Sequence, residues 1–553
     1  MDNKITITFN DGSTNRYPLG ATVGLIATEY QAKMENPIIG AKINNEVVTF
    51  NYAITKDVAI DFFDVNDLNG YKMYQGGLKF VLIVALRELY GNKANVIFEH
   101  SIDKGIMCTI TNGKPITETE TAELKQKMQE IIEQDLPIEK LNITKKEAIF
   151  FYETVGEIEK AKNIQNINNS LVVLYRLKDS YNYFYVDMPQ STGVLTKFDL
   201  INLSVNKTVL MFPSPRSNNE VPLYNHNEKI VEVFKEDKEW TEKMNVQYVS
   251  EFNEQVGQGN ISEFIRINEL VFNNKIDRLV TEVMNNKNIR LLLISGPSSS
   301  GKTTTTKKMM MSLKAHGHNT LMMSVDDYFK ERVDSPKDEN GEYDFECLEA
   351  IDLELFNKHL KQLLNGEEVV IPTFDFLIGE KVYDRKPIKI DDDTIILIEG
   401  LHCLNEELTK EVPRESKYKV YLSPFTPLSI DRHNHVSTVD MRMLRRMVRD
   451  NRTRGAGVSS TIKHWQNVRR GEEKYIFPYI PEADAVLNTA LVYEIGVLKV
   501  YAEPLLYSVE VTSPYYEEAR RLLGFLKNFF PIPSEYVVDN SILREFIGQS
   551  FFE

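Results

Sequence analysis

The chain opens on alternation. Ile5, Ile7 and Phe9 occupy every second position, which predicts a strand with one buried face. Asn10-Asp11-Gly12 follows, a turn sequence that tolerates left-handed backbone. Residues 23–30 read as a short helix, and Ile43-Asn44-Asn45-Glu46-Val47 as a second hairpin. This combination in so short a stretch predicts a compact α+β module. The apolar run at 78–90, LKFVLIVALRELY, predicts a helix, with Lys- and Glu-rich helices near 118–133 and 144–161. Strand patterns return at 171–175 and 183–186. Residues 221–285 are polar and helix-prone without strand signal, and read as a helical connector. From Ile289 onward apolar strands (291–294, 321–325, 394–398) alternate with amphipathic helices, which predicts a parallel α/β sheet. Residues 506–553 read as a helical tail carrying Pro531 and Pro533. There is no internal repeat and no low-complexity tract.

Length changes the picture first: 553 residues exceed what one hydrophobic core organises, so three or four domains are expected. With 42% hydrophobic and 26% charged residues the composition is that of a soluble globular protein. No apolar run reaches membrane-spanning length, and Met1-Asp2-Asn3-Lys4 begins no apolar signal core. Cys108, Cys347 and Cys403 are too scattered for a disulfide framework or a metal clip, so a reducing cytoplasm is expected. A net charge of −15 argues against nucleic-acid binding by bulk charge, while leaving a local basic face open.

The sharpest chemical signal is LLLISGPSSSGKT at 291–303. An apolar strand runs into Gly296-Pro297-Ser298-Ser299-Ser300-Gly301-Lys302-Thr303, and Thr304 continues into a helix at 304–314. Glycines let backbone wrap phosphate oxygens, and amides at the helix N-terminus point at the anion. Lys302 neutralises the β and γ phosphates, and the Thr303 hydroxyl can join a Mg²⁺ shell. Phosphoryl transfer also needs a base and further positive charge. Asp326, at the end of the 321–325 strand, is the candidate base, with Asp327 as its neighbouring competitor and a helix cap as the plain alternative. Glu399, ending the 394–398 strand, is the candidate for the metal or its water shell. In RMLRRMVRDNRTR (442–454), Arg442, Arg446 and Arg449 recur at helical spacing, with Arg445 and Arg452 on adjoining rows. Such a helix can act as a cationic lid over a triphosphate, or can be merely a solvated charged face.

GPSSSGKTT, SVDDYFK, IPTFDF, IILIEG and RRMVRDNRTRG occur in the order found in the uridine kinase and phosphoribulokinase family, which the segment 286–505 resembles. The resemblance implies Asp326 as base, Glu399 near Mg²⁺, and Arg449 and Arg454 as lid arginines on phosphates. It implies Glu346, in Tyr343-Asp344-Phe345-Glu346, as the acid for ribose hydroxyls, Phe374 as an aromatic packing on a base, and Tyr328 among the substrate contacts. Two positions depart from the family pattern: Gly379 stands near the place of a histidine in pyrimidine-selective members, and Ala456 in place of a lid arginine. The first opens the acceptor specificity, because a missing hydrogen-bond partner changes discrimination by orders of magnitude.

Residues 1–64 resemble a TGS domain, and 65–220 the second additional domain of threonyl- and alanyl-tRNA synthetases, through 74–82 and YVDMPQSTGVLTKFDL at 185–200. Where editing versions carry metal-binding histidines and cysteine, this chain has Gly76, Phe80 and Met188. None of these ligates a hard or borderline metal well, so hydrolytic editing is not expected. His433-Asn434-His435 reads as part of a solvated helix, and His316 and His318 as flanking a turn at Gly317. Asn168-Asn169-Ser170 is a glycosylation sequon that a cytoplasmic chain would not use.

The expected architecture is multidomain α/β: a ubiquitin-like β-grasp TGS domain (1–64), an α+β synthetase-editing-like domain (65–220), a helical connector (221–285), a P-loop NTPase kinase domain with a parallel sheet (286–505) and a helical tail (506–553). The expected activity is transfer of the γ-phosphate of ATP, with Mg²⁺, to a hydroxyl of a uridine- or cytidine-like nucleoside. Two alternatives stay open: another small acceptor such as a sugar phosphate, and an RNA- or nucleotide-sensing regulator whose P-loop is a switch. RNA or a nucleotide is the effector class expected at the N-terminal modules, and homo-oligomerisation their other expected use. No membrane partner is expected.

Overall fold

In a computed structural model, residues 4–553 are described apart from 103, 215, 216, 218, 338–340, 342, 376 and 377. Residues 1–3 of the N-terminal tetrapeptide and Phe376 of the IPTFDF segment lie outside the described residues. The alternation at the start of the chain becomes the strand Lys4–Phe9, with Ile5, Ile7 and Phe9 all buried. It pairs antiparallel with Thr14–Pro18 and parallel with Val58–Phe63, which continues to Gly40–Ile43 and Glu46–Val48. The helix Val23–Tyr30 packs on this β-grasp sheet. The second hairpin turns at Asn44 and Asn45, both at positive φ (53° and 62°), which asparagine tolerates better than most residues.

The apolar run at 78–90 is the second half of a longer helix, Leu68–Tyr90. Asp67 caps it, accepting from the Asn69 and Gly70 amides. This helix lies against a four-stranded antiparallel sheet in the order Asp199–Ser204, Lys207–Met211, Gly105–Thr111, Asn95–Ile102. The pattern reading did not find this sheet: the register of Asn95–Ile102 shifts between Phe98 and Ser101, which breaks its alternation. The helix expected over 144–161 is two, Lys145–Val155 and Ile158–Asn166, broken at Gly156 in the left-handed region (φ 79°). The strand expected at 183–186 is instead Ser180–Asn182, antiparallel to Leu171–Leu177; residues 183–186 run irregularly towards the neighbouring helices.

In the C-terminal half, β1 (Leu291–Ser295), β2 (Thr320–Ser324), β3 (Ile395–Glu399), β4 (Lys417–Ser423) and β5 (Ala485–Asn488) form one parallel sheet in the order β2-β3-β1-β4-β5. Leu292 and Ile294 of β1 enter the apolar cluster on one face, and Leu291 and Leu293 the cluster on the other. A strand buried on both faces reads as an unbroken apolar run, which is why this sheet was legible without alternation.

The helices of 221–285 do more than connect. Phe264, Ile265, Phe272, Ile276 and Val280 of Ile261–Asn285 belong to the same cluster as the β1 and β4 side chains. The tail behaves likewise, burying Ile542, Leu543 and Phe546 there. His433-Asn434-His435 is not a solvated helix. It closes a short hairpin, Ser429–Asp431 with Asn434–His435, and all three side chains are buried. The Asp431 carboxylate accepts from the His433 and Asn434 amides and fixes the turn. Lys160 donates to His433 Nδ1 at 2.5 Å, tying the hairpin to the second module. No helix among the described residues is long and apolar enough to cross a membrane.

Candidate functional site

The loop between β1 and the helix α1 (Lys302–Ala315) lies at the C-terminal edge of the parallel sheet, where strand ends leave a crevice. Its tightness is set by backbone. Ser299 and Gly301 sit at φ 60° and 85°, and a Cβ on Gly296 would lie 2.6 Å from the Leu422 carbonyl oxygen. Lys302 folds over the loop and donates to the Gly296 carbonyl at 3.0 Å. Thr489 Oγ1 donates to the Ser300 carbonyl at 2.6 Å, pinning the loop to the segment after β5.

Just past β2, the turn Val325–Tyr328 carries Asp326 and Asp327, and the structure separates the two. Asp327 is engaged by Arg385 at 2.9 Å. Asp326 is open to solvent yet closely surrounded, and that enclosure raises its carboxyl above the ordinary range while the Lys302 charge lowers it. Glu399, 8% exposed at the end of β3, accepts from Thr303 Oγ1 at 3.4 Å and from Ser324 Oγ at 3.3 Å. Burial pushes its carboxyl up to about 7; Lys302 opposes the shift, and Asp326 and Glu545 add to it. Glu346 is also pushed up to about 7, by burial first and then by Glu472, with Arg446 and Lys302 opposing. One ammonium group therefore acts on three carboxyls in a single crevice. The hydroxyl and the carboxyl of Thr303 and Glu399 are hard oxygen donors already in contact, and they fit Mg²⁺.

The arginine-rich segment forms α2 (Thr438–Arg454), followed by α3 (Val458–Tyr475). Its first turns are not a loose lid. Arg442 and Arg445 are fully buried, paired with Glu472 and Glu494, and they donate to the Ser298 and Ser299 carbonyls at 3.0 and 3.3 Å. They brace the loop from behind. Arg449 and Arg454 both pair with Asp450, at 2.8 and 3.8 Å, and Arg454 is exposed. Arg446, placed by its helical row in the expected cationic lid but not among the arginines the resemblance implies, donates to Ser298 Oγ at 2.9 Å.

Two expected substrate contacts are turned inward. Tyr328 is fully buried, its hydroxyl 3.2 Å from His359 Nδ1 and its ring edge-on to Phe356, so it supports the segment after β2 from the core side and does not face the crevice. Phe374 is buried against Phe329. Exposed aromatics among the described residues nearby include Tyr343 and Phe345, 5.8 Å apart, with Phe345 edge-on to Phe329. Gly379 has its own backbone reason: φ is 77°, and a Cβ would lie 2.8 Å from that of Arg332.

In the second module, the places of the editing ligands are filled with hydrocarbon. A Cβ on Gly76 would sit 2.9 Å from Met188 Cε, and Phe80 is fully buried against Phe184. No group of three or more metal-ligating side chains occurs among the described residues. A cleft of about 630 Å³ runs between this module and the helix Tyr516–Leu526, lined by Tyr175, Tyr183, Tyr507, Lys140 and Arg520.

Residues 291–495 match the family described as Phosphoribulokinase / Uridine kinase family, so the C-terminal half carries a domain of that kinase family. A P-loop kinase family in general implies ATP and Mg²⁺. The N-terminal region matches threonine–tRNA ligases: that of Polaromonas sp. is 28% identical over 201 residues, 36% of this chain and 32% of the relative. That of Desulforamulus reducens is 24% identical over 201 residues, with the same coverage of both chains. The chain spans about a third of the length of these curated relatives. Among solved structures, a possible uridine kinase from Bacillus stearothermophilus is 19% identical, with 39% of this chain and 98% of that one covered, at a TM-score of 0.27. D-glycerate 3-kinase from Cryptococcus neoformans is 13% identical, covering 51% and 89%, at a TM-score of 0.19.

Proposed function

We propose that the protein is an ATP-dependent kinase that moves the γ-phosphoryl group to a hydroxyl of a nucleoside or a similar small molecule. The observation that carries this reading is the phosphate-type loop itself: Lys302 folds over it onto the Gly296 carbonyl, and Thr303 Oγ1 meets the Glu399 carboxylate at the end of β3. Lys302 and the amides of 296–304 would hold the triphosphate. Thr303 and Glu399 would hold Mg²⁺, which draws charge from the phosphate oxygens when bound. Asp326 would take the acceptor's proton: its raised affinity for a proton suits a base, and its neighbour is held by Arg385. Glu346 would accept from sugar hydroxyls. Arg446, Arg449 and Arg454 would face the spreading negative charge.

The domain limits 1–64, 65–220, 221–285, 286–505 and 506–553 are part of the same proposal, as is a cytoplasmic setting. The helix Ile261–Asn285 shares its core with β1, which argues that a kinase fragment should begin before 261. The test is a panel of nucleosides and sugar phosphates with labelled ATP and full-length protein. Transfer to a nucleoside supports the reading, transfer only to a sugar phosphate replaces the acceptor, and no transfer to any acceptor removes it.

A second reading, an RNA- or nucleotide-responsive regulator, is favoured by one observation, the tyrosine- and lysine-lined cleft beside the synthetase-like module. In that case ligand at the N-terminal half would change turnover, or would bind without any turnover at all.

A further inference from the structure

The end of the chain reaches the phosphate loop. Thr304, in the first turn of α1, donates through its amide (3.3 Å) and its hydroxyl (2.8 Å) to one carboxylate oxygen of Glu545. These donors belong to the turn whose amides and dipole attract anions. Beside them, Ile542 covers Gly301 so closely that a Cβ on the glycine would lie 2.3 Å from Ile542 Cδ1.

The segment is held by groups of the same site. Arg452 of α2 donates to the Glu545 carbonyl at 3.2 Å and to the Glu553 carboxylate at 2.7 Å. Lys307 of α1 donates to the Phe552 carbonyl at 2.7 Å. The Arg445 guanidinium lies 5.0 Å from the centre of the Phe546 ring. Ile542, Leu543 and Phe546 are buried in the core, so the segment is a fixed part of the fold.

We propose that Glu545 is a built-in competitor for the donor nucleotide, its carboxylate occupying a position on the first turn of α1 that the phosphate chain of ATP must take. This rests on the reading of 296–304 as a triphosphate site. A carboxylate and a phosphate oxygen cannot share the two Thr304 donors, and at that separation their like charges repel. Nucleotide entry therefore requires the Glu545 side chain to swing away, while Ile542 and Phe546 keep the backbone anchored. The fold thus sets the affinity for the donor below what the loop alone would give, and 541–553 forms one wall of the donor site.

The test is calorimetric titration of the full-length protein with a non-hydrolysable ATP analogue and Mg²⁺. Wild type, Glu545→Gln, Glu545→Ala and, as loop control, Lys302→Ala are compared. Glu545→Gln keeps the shape of the side chain, so it guards against misfolding of the alanine variant, and thermal melts report the fold of each. Both Glu545 variants are expected to bind the nucleotide about fivefold tighter or more, with Lys302→Ala much weaker. Unchanged or weaker binding by the folded Glu545 variants, with wild type binding normally, overturns the competitor role and leaves the triphosphate site standing. Binding by none of the proteins removes the site and the proposal together.

Discussion

The phosphate-loop crevice and the packed interior of the second module around Gly76, Phe80 and Met188 differ in what fills them. Around the loop, three carboxyls remain within the influence of one ammonium group, and burial pushes two of them up to about 7. At Gly76, Phe80 and Met188 methyl, sulfur and ring atoms close the space, and the charged neighbour on the same helix, Lys79, lies over the Phe98 and Phe184 rings, where burial pulls its ammonium down to about 8. Crowding buried acids costs stability, because each charged form loses water. Hydrocarbon in the same kind of hollow adds stability. A site that holds the costly arrangement is a candidate for chemistry, and one closed by packing is a candidate for scaffold or a binding surface.

The comparison is broken most severely at Lys302 and Asp326. Lys302→Ala and Asp326→Asn should each lower turnover by about a thousandfold or more with little change in melting temperature. Unchanged turnover in folded variants would reject both roles. In the second module the expected loss is of stability: Phe80→Ala should cost about 3–5 kcal/mol in denaturant unfolding. Should it instead abolish phosphoryl transfer in protein that remains folded, the scaffold reading of that interior is wrong.

Glu399 sharpens the contrast through pH. Its carboxyl is raised in the folded state, so the folded protein holds a proton that the unfolded chain releases. Its stabilising effect is present below the ordinary carboxylate range and is lost as pH rises through about 7. Melting temperature of the nucleotide-free protein should therefore fall from about pH 5 to about pH 8, and Glu399→Gln should flatten the fall by about 1–3 kcal/mol while impairing turnover. A pH dependence identical in the variant would show that Glu399 does not carry it. The smallest effect is expected at Tyr328→Phe, which loses one buried hydrogen bond to His359, about 1 kcal/mol. Its acceptor KM should stay where it is; a large rise would return Tyr328 to the crevice.

Local order by itself determined much of this protein. The strand–loop–helix of 291–315 is specified by neighbours in sequence: an unbroken apolar run, glycines at 296 and 301, and Lys302-Thr303 opening a helix. The β-grasp start and the polar helices of 221–285 were legible for the same reason, since periodicity and turn residues act over a few positions. Only tertiary structure decided which charged groups meet. Arg442 and Arg445 look identical in sequence to Arg449, but Glu472 of the next helix and Glu494 beyond β5 pair with the first two behind the loop. His433 looked solvated until the second module supplied Lys160. Glu545 lies 241 residues from Thr304, and no local pattern marks it. Burial and pairing are set by long-range packing, so they decide the charge state, reach and task of a side chain whose identity the sequence alone provides.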